Sequence, residues 1–98
     1  MLTNRRLTAA EAAGLGIVTH LVEDGRLDAQ VDELVASLSA GPTVAYGAVK
    51  RLLRSSYGAS LTAQLSGEAD SIAALGQAAD GREGVAAFLA KRAPEFSG

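Results

Sequence analysis

The sequence predicts a mostly α-helical segment with one short strand at about residues 17–22. Three observations predict it. Apolar residues recur at three- and four-residue spacing through most of the chain, which is the period of one helix face. The composition is 48% hydrophobic but only 4% aromatic. Much of that apolar content is alanine, which favours helix and yields little burial per residue. A single stretch, Ile17 to Val22, is rich in β-branched residues and roughly alternates, the pattern of a strand.

Residues 1–7 form a leading segment. Thr8 and Glu11 then stand three apart, the spacing of a capping box, and open a short helix through Ala13. Gly14 is placed to take the left-handed conformation that ends it. Gly14-Leu15-Gly16 lacks the third glycine, the preceding strand and the long following helix of a phosphate-cradling loop. The strand at 17–22 has no evident partner strand. His20, the only histidine, reads as a surface or edge-strand residue, with no carboxylate or nucleophile placed by the sequence to make it a base. Glu23-Asp24-Gly25 is a turn.

Asp28 is the expected cap of the next helix, which runs to about Ser39 with Val31, Leu34, Val35 and Leu38 as its apolar stripe. Gly41-Pro42 breaks the chain and restarts it, proline being suited to a first turn. The helix that follows reaches about Ser55, burying Val44, Ala45, Ala48, Val49, Leu52 and Leu53, and ends at Tyr57-Gly58. Ser60 caps a longer helix to about Ala78, carrying Leu61, Leu65, Ile72 and Leu75. Gly67 lies within it and weakens it by about 1 kcal/mol relative to alanine unless close packing requires it. In the terminal helix, Asp80 and Glu83 have capping-box spacing. Pro94 disfavours helix at Ala93, so the end is expected near Arg92. Val85, Phe88, Leu89 and Arg92 share one side, and Lys91 and Arg92 suit the negative end of the dipole.

Ninety-eight residues bound the chain to one domain. The apolar content promises a thin core with faces that need a partner. A net charge of −2 argues against a nucleic-acid surface. Arg5–Arg6, Lys50–Arg51 and Lys91–Arg92 are basic pairs and form no stripe. The absence of cysteine excludes disulfides, thiol catalysis and cysteine metal sites. No apolar run approaches 18 residues, so no membrane span is expected, and a cytoplasmic location is. No motif for a nucleophile or a metal is present. Glu68 and Asp70, two apart on a helix, do not face each other. From the residues alone there is no catalytic residue and no metal site to name, and the chain reads as a structural or interaction module.

Three stretches carry a resemblance. Leu2 to Ala12 with Gly14 to Val18, Gly41-Pro42 through Lys50, and Asp80 through Phe96 with its Arg82-Glu83-Gly84-Val85-Ala86-Ala87-Phe88-Leu89 run occur in that order. Together they resemble the C-terminal part of the crotonase superfamily, the enoyl-CoA hydratases and isomerases, and they span residues 1–98. The resemblance implies the C-terminal helical region of a crotonase-like fold. The family's N-terminal spiral of ββα units, which supplies the oxyanion-hole amides and the catalytic glutamates, is absent. One missing donor of that kind costs roughly 100- to 1,000-fold in rate. Met1 stands where the family has an internal apolar position, so a fragment, non-catalytic by itself, is expected.

The resemblance also implies a site. By motif, Phe88 matches an aromatic that lies near the CoA adenine, and Lys91 a lysine near the ribose 3′-phosphate. No cofactor is implied to be permanently bound, since acyl-CoA is the family's substrate. The implied partners are a spiral core, supplied by other chain, or further copies in a homo-oligomer. The residues alone leave Phe88 open as plain core and Lys91 as a solvated helix-end charge. The sequence departs from the family pattern at Ile72, near the place of a second aromatic, at Ala90, usually acidic, and at Ala93, usually basic. A different class of reading also stands: a non-catalytic helical module for oligomerisation or docking.

Overall fold

The computed structural model describes residues 4–98. The leading segment's first three residues, and the Leu2-Thr3 part of the resemblance, lie outside the described residues. Five helices follow in order: α1 (Ala9–Gly14), α2 (Leu27–Ser39), α3 (Thr43–Ser56), α4 (Leu61–Gln77) and α5 (Ala79–Ala90). None among the described residues is long and apolar enough to cross a membrane. The chain divides into two compact units, one up to Glu33 and one from Leu34 to Gly98.

In the first unit, α1 is closed at both ends by its own sequence. The Thr8 hydroxyl accepts the Glu11 N–H and the Glu11 carboxylate accepts the Thr8 N–H at 2.8 Å. This is the reciprocal box the spacing predicts. At the other end Gly16, and not Gly14, takes the positive φ of 70°. Gly16 N–H donates to Ala13 O and Ile17 N–H to Ala12 O, the paired bonds of a Schellman ending. The helix simply runs one turn position further than expected before it is stopped.

The strand expected at residues 17–22 is not formed; no strand occurs among the described residues. A strand is stabilised by ladder bonds to a neighbour, and this segment has none to pair with. It is a connection between α1 and α2, with Ile17, Val18 and Leu21 exposed. Helix α2 begins at Leu27, so Asp28 lies in its first turn and not at the cap. There its carboxylate still suits the positive end of the helix.

In the second unit, α3 packs on α4 and α4 on α5. Pro42 precedes α3, and Tyr57 closes it. Ser60 caps α4 by accepting the Ala63 N–H. Gln64 bridges two helices, donating to Glu68 Oε1 at 2.9 Å on α4 and to the Leu52 carbonyl on α3. A Cβ added at Gly67 would lie 3.7 Å from Leu52 Cδ2, an ordinary contact, so the α3–α4 packing does not demand glycine there. Gly81 differs: a Cβ there would drive into the Leu75 carbonyl oxygen and lie 3.0 Å from Gly76 Cα. The tight α4–α5 elbow rests on that missing side chain.

The buried apolar residues are Ala48, 3% exposed, and Ala87, 1% exposed. The stripes predicted on each helix form, but their large residues stay largely open. Val31, Leu34, Val35 and Leu38 of α2 are exposed, as are Val44, Val49 and Leu53 of α3, Leu61, Leu65 and Ile72 of α4, and Val85 and Leu89 of α5. The period of a stripe fixes which residues share a face, and it does not supply what covers that face.

Candidate functional site

The site implied by the sequence lies on the last turns of α5. Phe88 is 82% exposed. The ring is not enclosed by these residues, and neither are Leu61, Ile72 and Leu89. Lys91 is also exposed, three residues on.

Lys91 does not lie within the helix. Helix α5 ends at Ala90, and Lys91 has φ 52° and ψ 40°, the left-handed conformation. Its N–H donates to Phe88 O at 3.2 Å, and Arg92 N–H donates to Ala87 O at 3.1 Å. These two bonds make the Schellman ending again, at the position where glycine is usual. A side chain there costs about 1–2 kcal/mol. The expected end near Arg92, derived from Pro94, is thus displaced by a stop that the chain makes earlier.

The start of α5 also differs from expectation. The residue at the cap is Ala78, with no side-chain cap bond. Asp80 and Glu83, three apart, do not form a capping box. Both turn to the residues that follow the helix. Glu83 grips Arg92 with two bonds, Oε1 to one guanidinium nitrogen at 2.6 Å and Oε2 to the other at 2.8 Å. Its Oε1 also accepts the Glu95 N–H at 2.8 Å. Asp80 accepts the Ser97 N–H at 2.8 Å, the Ser97 hydroxyl at 3.1 Å and the Gly98 N–H at 3.2 Å. Residues 93–98 are thereby strapped back along α5.

These bonds set the electrostatics. The Arg92 guanidinium first, and then the Glu95 N–H, hold the Glu83 carboxyl down to about 2 from an ordinary 4.5. The Ser97 N–H above all holds Asp80 below the usual range. Glu83 in turn raises Arg92. In the first unit the Thr8 N–H, followed by Arg5 at 2.7 Å, lowers Glu11. Each of these carboxylates is engaged in holding backbone, which favours its ionised form. None is placed as a general acid or base toward another titratable group.

A concavity of about 380 Å³ adjoins the strap, lined mainly by apolar groups including Pro42, Val44, Leu75, Val85 and Phe96. Phe88 and Lys91 are not part of its lining. His20, in the first unit, borders a separate shallow recess with Val18, Leu21 and Leu27. Among the described residues no group of three or more His, Asp or Glu side chains is gathered as metal ligands would be. Sequence reasoning missed the strap. Arg92 lies nine residues from Glu83 and Ser97 lies 17 from Asp80, beyond any helix spacing that a local rule reads.

A family profile described as Enoyl-CoA hydratase/isomerase matches residues 1–98. A probable enoyl-CoA hydratase from Rhodobacter capsulatus is 41% identical over 93 residues, which cover 95% of this chain and 36% of that protein. A 1,2-epoxyphenylacetyl-CoA isomerase from Escherichia coli is 37% identical over 97 residues, covering 99% of this chain and 37% of its own length. Among solved structures, an enoyl-CoA hydratase/isomerase from Mycobacterium abscessus superposes with a TM-score of 0.94 at 35% identity, covering 99% of this chain and 37% of that one. The chain thus has the helical C-terminal architecture of a crotonase-like fold. It belongs to the enoyl-CoA hydratase/isomerase family, and it spans somewhat more than a third of the length of the curated relatives it matches.

Proposed function

We propose that these residues form the C-terminal helical part of a family protein that acts on acyl-CoA thioesters, by hydration or isomerisation of an enoyl-CoA. In this reading the residues present here are not catalytic by themselves. Acyl-CoA is substrate and not a resident cofactor. Phe88 offers its ring to the adenine, and Lys91 its ammonium to the ribose 3′-phosphate as a point charge. Support comes from the family match and from relatives named for CoA thioesters, such as the isomerase from Escherichia coli.

The observation that carries the site is the turn at Lys91. A lysine occupies a left-handed position that glycine would fill without strain, directly beyond an aromatic that is almost fully exposed. Strained backbone of this kind persists where a side chain is needed in one place. The open apolar faces of α2 to α5 support docking against the family's spiral core or against further copies. A cytoplasmic location is part of the same proposal, supported by the absence of cysteine.

The test is calorimetric titration of CoA into the full chain at low salt, beside Lys91→Ala. Binding that weakens in the variant is expected. A folded chain that shows no heat of binding overturns the roles of Phe88 and Lys91.

A further inference from the structure

We infer that Glu83 is a positioning residue for Lys91: by clamping Arg92 and the Glu95 N–H it fixes the left-handed turn from which the ammonium projects. The inference rests on the CoA reading above for its functional half, and on geometry alone for its structural half. Arg92 is the residue after Lys91, and both of its terminal nitrogens meet Glu83, at 2.6 and 2.8 Å. The same Oε1 takes the Glu95 N–H at 2.8 Å. One carboxylate therefore holds the segment leaving the turn at two points, the Arg92 side chain and the Glu95 backbone. The Arg92 guanidinium also donates to Ala93 O at 3.0 Å, which closes the loop between those points.

The turn needs such a hold. A lysine at φ 52° is disfavoured against the right-handed alternative, so its backbone would relax if the residues after it were released. Relaxation would move the Lys91 side chain from the place the turn gives it. A bidentate guanidinium–carboxylate pair has the fixed planar geometry suited to such a hold, which a lysine in place of Arg92 lacks. Asp80 pins only the far end of the strap, at Ser97 and Gly98, and serves as the internal comparison.

The experiment measures amide hydrogen exchange and CoA affinity for the full chain, for Glu83→Ala, for Lys91→Ala, for Asp80→Asn, and for Glu83→Ala combined with Lys91→Ala. Glu83→Ala is expected to speed exchange at the Lys91, Arg92 and Glu95 amides while leaving α3 and α4 unchanged. It should weaken CoA about tenfold, and add nothing once Lys91 is alanine. Asp80→Asn should leave the Lys91 and Arg92 amides protected. Unchanged exchange in Glu83→Ala overturns the inference. So does an equal loss of affinity with and without Lys91, which marks a merely structural role. If Glu83→Ala does not fold, Arg92→Lys must give the same pattern, and its failure to do so overturns the inference. If the unaltered chain does not bind CoA, the CoA reading fails by itself, and the exchange data still decide whether Glu83 holds the turn.

Discussion

At Lys91 the side chain and the backbone want different things. Glycine at that position would relieve the left-handed strain, so Lys91→Gly should raise stability by about 1 kcal/mol and shift the thermal midpoint upward, while removing the proposed phosphate contact. A midpoint that falls would show that the lysine stem contributes packing of its own. Glu83 makes a second residue-level expectation. Its folded value is depressed from 4.5 to about 2, so its contribution is complete above 4.5 and is lost as the pH falls through about 2. Asp80 and Glu11 shift in the same direction. Protection of the Glu95 amide should therefore fade as the solution is acidified across that window, and that of the Ser97 amide as the pH falls below the usual carboxylate range. Amides that fade between pH 6 and 8 instead would contradict it. These residues also show what local sequence rules reach. Thr8 and Glu11 were legible as a capping box because each partner is three residues away. The same spacing at Asp80 and Glu83 misled, because stronger partners lie 17 and nine residues on and arrive only when the tail folds back.

Among the helices, Gly67 of α4 and Gly81 of α5 have opposite meanings that the sequence did not separate. Gly67 has ordinary room for a methyl group beside Leu52. Gly67→Ala should therefore stabilise α4 by about 0.5–1 kcal/mol through helix propensity. Gly81 has none, since the Leu75 carbonyl occupies that space. Gly81→Ala should cost about 1–3 kcal/mol, the range for forced overpacking, with a lower melting midpoint in circular dichroism. Equal effects from both substitutions would mean that the α4–α5 elbow is looser than its geometry. Helix existence was readable because the start and stop residues act within one turn. The strand at 17–22 was misread because β-branched alternation reports a residue's fitness for a sheet, and no local pattern reports whether a neighbouring strand exists.

For the molecule as a whole, side-chain burial is nearly confined to alanine. Ala48 and Ala87 are enclosed while Leu53, Leu61, Ile72 and Leu89 are more than half exposed. The thin core was foreseeable from an alanine-rich, aromatic-poor composition, the helical class from the apolar periodicity, and the family from the resemblance of three stretches in order. What covers the stripes was not, since no local pattern reports what packs against a helix face. Uncovered leucines of this number favour association, so the apparent mass in sedimentation and the thermal midpoint should both rise with protein concentration. Leu53→Glu and Leu89→Glu should reduce that rise. A sharp, concentration-independent transition at monomer mass would refute it.

The strap's two anchors lie in series along one helix, with Asp80 holding the outermost residues and Glu83 the inner ones. The strap is therefore held at two separate places, and either can be released without the other. A bulky label at Ser97 would lift the outer hold and open the concavity beside Phe96. The inner hold would stay closed, and the turn at Lys91 would not register the damage. A probe attached at Ser97 can thus report on the outer hold without disturbing the site it is meant to watch.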